Sequence, residues 1–299
     1  MFNGPGRYLV LLMDNVNAEW IGNYVITIVI FTVILRLITM PFDVMQRRSS
    51  MKMSEHQPEI QRIQTRYASN PQVMQKKMQE YKKKHGINEL AGCLPLLVTF
   101  FVFGIFLSGM NGWGDYKNAQ LYLETSRMET VAEKEAYFDD YQFAWVTNVW
   151  MPDSGLASVV MKYENFSKID TKRLSLLMTE QEIEEVKNVT EEQYNTNLKF
   201  AMDKYEGTAN GWFILPLLSG ISMLLIQLIS TRLNPAQQQA AGTGKTMTLI
   251  MTAIWVWVCI SANAAFAIYA IVSNFAGLFV TLFTNRHNLS ALLPKKKEA

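Results

Sequence analysis

The 299-residue chain is predicted to be an all-α membrane protein: a five-helix core, a cytoplasmic helical hairpin and a large extracytoplasmic insert. Three observations predict it. Apolar residues make up 49% of the chain and gather into long blocks without charges, instead of mixing with polar residues as in a soluble core. The segment 41–92 and the C-terminal tail are basic, while 111–210 is acidic. The hydrophilic stretch after the first block repeats apolar residues at helical spacing.

Residues 1–19 do not read as a signal peptide, because the apolar run Tyr8 to Met13 is short and only Arg7 precedes it. Tyr8, Leu9, Leu12, Met13, Val16 and Trp20 instead mark one face of a helix suited to the membrane interface. Span 1 is 20–40, span 2 is 93–110 and span 3 is 211–231, each long enough to cross roughly 30 Å of hydrocarbon with about 20 helical residues. From Thr246 to Thr284 there is no charge, over a length that a single helix would carry to twice the membrane thickness. Two spans are therefore expected, 246–261 and 262–284, turning at Ser261, Ala262 and Asn263.

Between the first two spans, 41–92 carries ten basic against five acidic residues, and the tail 285–299 adds Arg286 and Lys295 to Lys297. The positive-inside rule places both in the cytoplasm, with the loop 232–245, and puts the N-terminus outside and the C-terminus inside. Within 41–92, Ile60, Ile63 and Tyr67 form one apolar stripe and Met74, Met78 and Tyr81 another. Asn70-Pro71 separates the two and Gly86 closes the second, as a hairpin of two helices requires. Its basic face, including Arg62, Arg66, Lys76, Lys77, Lys82 and Lys83, is either a solvated surface or a contact for anionic lipid heads or ribosomal RNA. The insert 111–210 is expected outside. It mixes helix-like stretches with "FAWVTNVWMPDSG", whose Trp145 and Trp150 suit a membrane interface.

Enzymatic chemistry is not supported. "AGTGKT" at 241–246 has Gln239 where a phosphate-binding loop needs its first glycine, and a membrane span where it needs a strand. His56, His85 and His287 lie apart without metal-ligand spacing, and Cys93 and Cys259 both sit in apolar blocks. No serine, histidine and carboxylate set is visible in the spans, so neither a cofactor, a metal nor a catalytic residue is expected.

What remains are polar residues inside apolar helices. An arginine near the centre of a membrane helix costs roughly 2.5 to 3.5 kcal/mol. Arg36 lies about 7 to 8 Å of helix rise before Pro41, so it either snorkels to the cytoplasmic surface or faces a wet cavity. In span 3, Ser219, Met223, Gln227 and Ser230 or Thr231 share one face, with Gln227 at about the depth of Arg36. In span 5, Asn263, Ala267, Ala270, Asn274, Gly277, Thr281 and Thr284 form another stripe, and Thr248, Thr252 and Cys259 a weaker one in span 4. Such stripes either glue helices together or line a cavity.

The residues also resemble a known family, the YidC family of membrane protein insertases that includes the mitochondrial Oxa proteins. The resemblance rests on Arg36 followed by "TMP", on Ser50, "KM" and Pro58, and on "YKKKHGINELAGCLPLL". It continues through "WMPD" at 150–153, "ILPLLSGISMLLIQ" at 214–227 and "IYAIVSN" at 268–274, in the family's order over roughly two thirds of the chain. Glu89, Thr99, Phe101 and Ala270 depart from its usual pattern. The resemblance implies five core helices around a hydrophilic groove open to the cytoplasm and lipid, with Arg36 as its arginine and Gln227 as a polar position beside it. On this reading Arg36, Gln227, Asn274, Ser219, Thr231 and Ala270 line the groove, and nascent membrane proteins enter the bacterial plasma membrane through it without ATP. A ribosome, the Sec translocon and anionic lipids are the further partners, and DNA is not. The same polar stripes would also suit a small-solute channel or transporter, although no internal repeat of the transporter kind is present. A third reading is a scaffold whose insert binds partners while the spans only anchor it.

Overall fold

The computed structural model describes residues 3–87, 89–233 and 245–286, and every regular element in them is a helix. The helices are α1 (Asn3–Val16), α2 (Tyr24–Glu55), α3 (Gln57–Arg66), α4 (Pro71–Lys84), α5 (Glu89–Arg127), α6 (Val131–Asp139) and α7 (Tyr163–Phe166). They continue with α8 (Thr171–Leu174), α9 (Glu180–Lys187), α10 (Glu191–Asn197), α11 (Lys199–Lys204), α12 (Ile214–Leu233), α13 (Lys245–Ser261) and α14 (Ala264–Thr284). The α2 segment Tyr24–Met53, α12 and α14 are long and apolar enough to cross a membrane, and Thr246–Ser261 is a shorter apolar helix. Most of the loop expected at 232–245 and of the tail at 285–299, with His287 and the Lys295 to Lys297 run, lies outside the described residues.

Helix α2 differs from the span drawn at 20–40. It passes through Pro41 and ends at Glu55. Proline removes one backbone donor and commonly bends a helix, yet the helix runs unbroken from Tyr24 through Pro41 to Glu55. Helix α5 likewise outruns the apolar stretch 93–110. With no proline after Pro95 it extends to Arg127, roughly 58 Å at 1.5 Å per residue, so its C-terminal half carries Asp115, Lys117, Glu124 and Arg127 out of the apolar stretch.

The chain divides into two compact units. The first takes Met1–Val33, Val102–Ile221 and Ala253–Ser273. Its core is aromatic: Tyr24 meets Trp113, Tyr141 and Trp150 at ring distances of 5.9, 6.3 and 5.2 Å, and Tyr122, Phe166 and Tyr194 form a second cluster. An ion pair is buried beside the first cluster. Lys117 Nζ lies 2.7 Å from Asp14, which also accepts from the Trp113 indole, and the ammonium stands 4.7 Å from the centre of the Tyr24 ring. The 111–210 segment is built largely from short helices, three of which open on reciprocal capping boxes: Thr130 with Glu133, Thr179 with Glu182, and Thr190 with Gln193.

Of the two tryptophans expected at an interface, Trp145 is 38% exposed but Trp150 is not. Trp150 is 2% exposed, packed against Tyr24 and Trp113. The strip serves as a hub for helix ends. Asp153, fully buried, accepts from the backbone amides of Trp212, Phe213 and Leu215 at 2.8, 3.1 and 2.7 Å and so caps the start of α12. The backbone carbonyls of Met151 and Val149 accept from the amides of Ala264 and Ala265, both at 2.9 Å, and satisfy the first turn of α14. Gly211 is required here, since a Cβ at that position would stand 2.0 Å from the Asp153 carboxylate.

The second unit takes Ile34–Phe101, Ser222–Thr252 and Asn274–Ala299. It contains the lower part of α2 and the α3–α4 pair. Asn70 caps α4 by accepting from the Val73 amide, Pro71 fills its first position where no amide is needed, and Gly86 turns out of it at φ +59°. The base of the pair is tied by Lys52, which donates to the Gly86 carbonyl at 3.0 Å, and by His56, hydrogen-bonded to the Tyr81 hydroxyl at 2.9 Å.

Candidate functional site

Arg36 sits in the second unit on α2, with its side chain 26% exposed. Seven residues on, Asp43 lies on the same face because α2 does not stop at Pro41, and its carboxylate accepts from the Arg36 guanidinium at 3.5 Å. Asp43 is only 16% exposed. The guanidinium also lies near Gly277 of α14: a Cβ there would stand 3.8 Å from Arg36 Nη2 and 4.0 Å from its Cζ, ordinary van der Waals contact. The tighter neighbour of that position is Ile226 of α12, whose Cδ1 would stand 3.1 Å from the added Cβ. One turn before Gly277, Asn274 donates to Ser222 of α12 at 2.9 Å.

Of the residues singled out from the sequence, Arg36, Gln227, Thr231 and Asn274 belong to this unit. Gln227 and Thr231 are half-buried on α12, where the Thr231 hydroxyl donates to the Gln227 backbone carbonyl at 2.9 Å. Ser219 and Ala270 belong to the first unit and are fully buried there. The Ser219 hydroxyl accepts from the Trp255 indole at 2.8 Å and from the Cys259 thiol at 3.5 Å. Two residues of the cluster, Asp43 and Ser222, lie outside the polar stripes of the sequence. The seven-residue spacing of Arg36 and Asp43 was a readable signal, obscured by reading Pro41 as the end of the helix.

On the α3–α4 pair, Arg62, Arg66, Lys76, Lys77 and Lys83 are exposed and Lys82 is half-buried. Arg62 pairs with Glu59, Lys77 with Glu80 at 2.8 Å, and Arg66 stands over the Tyr67 ring at 5.9 Å. The Glu80 carboxylate raises the Lys77 ammonium above its ordinary range and is itself lowered. These are surface ion pairs, readily exchanged for an anionic partner. The fold also joins two histidines that the sequence kept apart: His56 and His85 lie 4.8 Å apart with Tyr81 against both. Among the described residues, no three His, Cys, Asp or Glu side chains gather as a metal site.

A separate cavity of about 620 Å³ lies in the first unit, lined by Asp115, Trp150, Lys162 and Arg173 among others. Burial pushes the Asp115 carboxyl up to about 6, against the pull of Arg173 at 3.6 Å.

Apolar helices that carry an arginine–aspartate pair and an asparagine–serine hydrogen bond, joined to a basic helical pair, define a multi-helix membrane protein with a polar cluster set among its spans. The chain belongs to the 60Kd inner membrane protein family, whose model matches residues 16–291. It is similar to "Membrane protein insertase YidC" of Clostridium perfringens, 24% identical over 93% of this chain and 82% of that protein. "Membrane protein insertase MisCA" of Bacillus subtilis is 40% identical over 39% of this chain and 44% of its own length. "Membrane protein insertase YidC" of Oceanobacillus iheyensis is 42% identical over 31% of this chain and 38% of its own. Membership of the YidC/Oxa family and a membrane location follow.

Proposed function

We propose that this protein inserts nascent membrane proteins into the bilayer through a hydrophilic groove open to the cytoplasm, without ATP. Its relatives are named membrane protein insertases. The observation that carries the groove is Arg36: a half-buried guanidinium on an apolar helix, paired with Asp43 and near Gly277, in one unit with the Asn274–Ser222 bond, Gln227 and Thr231. A permanent charge on an apolar helix is costly even when paired, and its retention points to a functional site. The polar end of a client enters the groove and pairs with Arg36, while its apolar segment slides against the lipid-facing helices. Because the groove shortens the hydrocarbon path for polar groups, burial of the new helix in lipid supplies the driving force.

In this reading the N-terminus lies outside and the C-terminus in the cytoplasm, where the exposed Arg62, Arg66, Lys76 and Lys83 meet a ribosome or anionic lipid heads, beside the Sec translocon for some clients. Residues 111–210 lie outside, and Ser219 and Ala270 pack helices instead of lining the groove. The test is insertion of single-span clients by reconstituted full-length protein. Arg36→Ala is expected to lower insertion of clients with acidic translocated tails by about fivefold, the scale of one partly exposed ion pair, and Arg36→Glu to lower it further. Equal insertion by all three proteins at equal abundance would remove the role assigned to Arg36. Crosslinks from Arg36, Gln227 and Asn274 to one stalled nascent chain would report its path directly.

A further inference from the structure

We propose that Asp43 is a built-in competitor for the groove arginine and sets which client tails the protein accepts. The inference rests on the groove reading above and goes beyond it. Arg36 is not a bare cation: the Asp43 carboxylate stands 3.5 Å from it, less exposed than the arginine itself, in a position fixed by the continuous helix through Pro41. The pair sums to zero charge. Asp43 presents to Arg36 the same chemical group that an acidic client would present, and it does so at the high effective concentration of a residue on the same helix.

The consequence is selectivity. An acidic tail gains the Arg36 contact only in competition with the Asp43 carboxylate, and once there it stands beside that second negative charge. A neutral, carbonyl-rich segment needs neither charge. A lysine-bearing tail meets Arg36 already neutralised, with a carboxylate at hand as its own partner.

The experiment uses full-length protein in liposomes and three clients identical except for a short translocated tail bearing two Asp, two Ser or two Lys residues, read by protease protection. Relative to the Ser tail, Asp43→Asn is expected to raise Asp-tail insertion and lower Lys-tail insertion, each by about fivefold. Asp43→Glu is expected to restore the wild-type order. Arg36→Ala is expected to cost the Asp tail more, relative to the Ser tail, in the Asp43→Asn background than in the wild type, because only there does the guanidinium meet the tail without first exchanging its pair with Asp43. If Asp43→Asn scales all three tails by one factor, or if Arg36→Ala costs the Asp tail the same in both backgrounds, the inference is overturned. Failure here differs from failure of the groove: if Arg36→Ala alone inserts every tail as well as wild type, it is the groove reading that falls.

Discussion

Replacement of Asp153 by alanine tests how the hub holds α12. The carboxylate takes four donors: the amides of Trp212, Phe213 and Leu215 and, at 3.3 Å, the Trp145 indole. Hydrogen bonds to a charged group contribute roughly 1.5 to 3 kcal/mol each, and an orphaned buried donor costs about 1 to 3 kcal/mol. The Leu215 amide is the one in fully buried surroundings, while those of Trp212 and Phe213 are part-buried and reachable by water once the side chain is gone. The full penalty therefore falls on one donor and part of it on the others, for a total of about 3 to 5 kcal/mol, above an ordinary lost cap at roughly 1 kcal/mol. Asp153→Asn keeps one oxygen but turns its amide toward two donors, so it is expected to fall between alanine and wild type. Both are read by reversible unfolding in mixed detergent micelles, followed by tryptophan fluorescence and far-ultraviolet circular dichroism. Alanine and asparagine variants that both unfold at the wild-type midpoint would refute the capping argument.

Two further outcomes concern the first unit. Lys117→Met strands the Asp14 carboxylate in a buried site and is expected to cost about 3 kcal/mol, the lower end for a broken buried pair because the Trp113 indole remains a donor. Adding Asp14→Leu should recover most of the loss in the same unfolding assay. Asp115 titrates near 6 in the folded protein against an ordinary 3.8, so the folded state holds its proton longer than the unfolded one. Its contribution is full below about 3.8 and is lost as pH rises to about 6, by roughly 3 kcal/mol at most, and a stability difference from Asp115→Asn that stays flat between pH 4 and 6 would contradict the burial argument.

Much of the fold was legible in the sequence because membrane helices announce themselves locally. A charge-free block of about 20 residues needs no tertiary partner to be recognised, and Asn70-Pro71 and Gly86 mark helix ends by their own backbone chemistry. Three capping boxes in 111–210 were equally readable, since Thr130, Thr179 and Thr190 each precede Glu or Gln by three residues. Pro41 misled because proline ends helices often but not always, and its local signal hid the pairing of Asp43 with Arg36. "WMPD" was legible as a motif, but the role of Asp153 was not, because its partners lie about 60 residues away.

By itself the sequence determined that this chain is helical, that its apolar segments suit a membrane and that Arg36 is an expensive residue needing a reason. Periodicity and charge act along the chain and can be read there. Only tertiary structure decided that Asp43 pairs with Arg36, that Gly277 lies near the guanidinium, that Asn274 bonds Ser222 and that Ser219 accepts from Trp255 and Cys259. A polar stripe on a helix has the same sequence whether it packs or lines a groove. Which it does depends on the partner that each side chain finds across space.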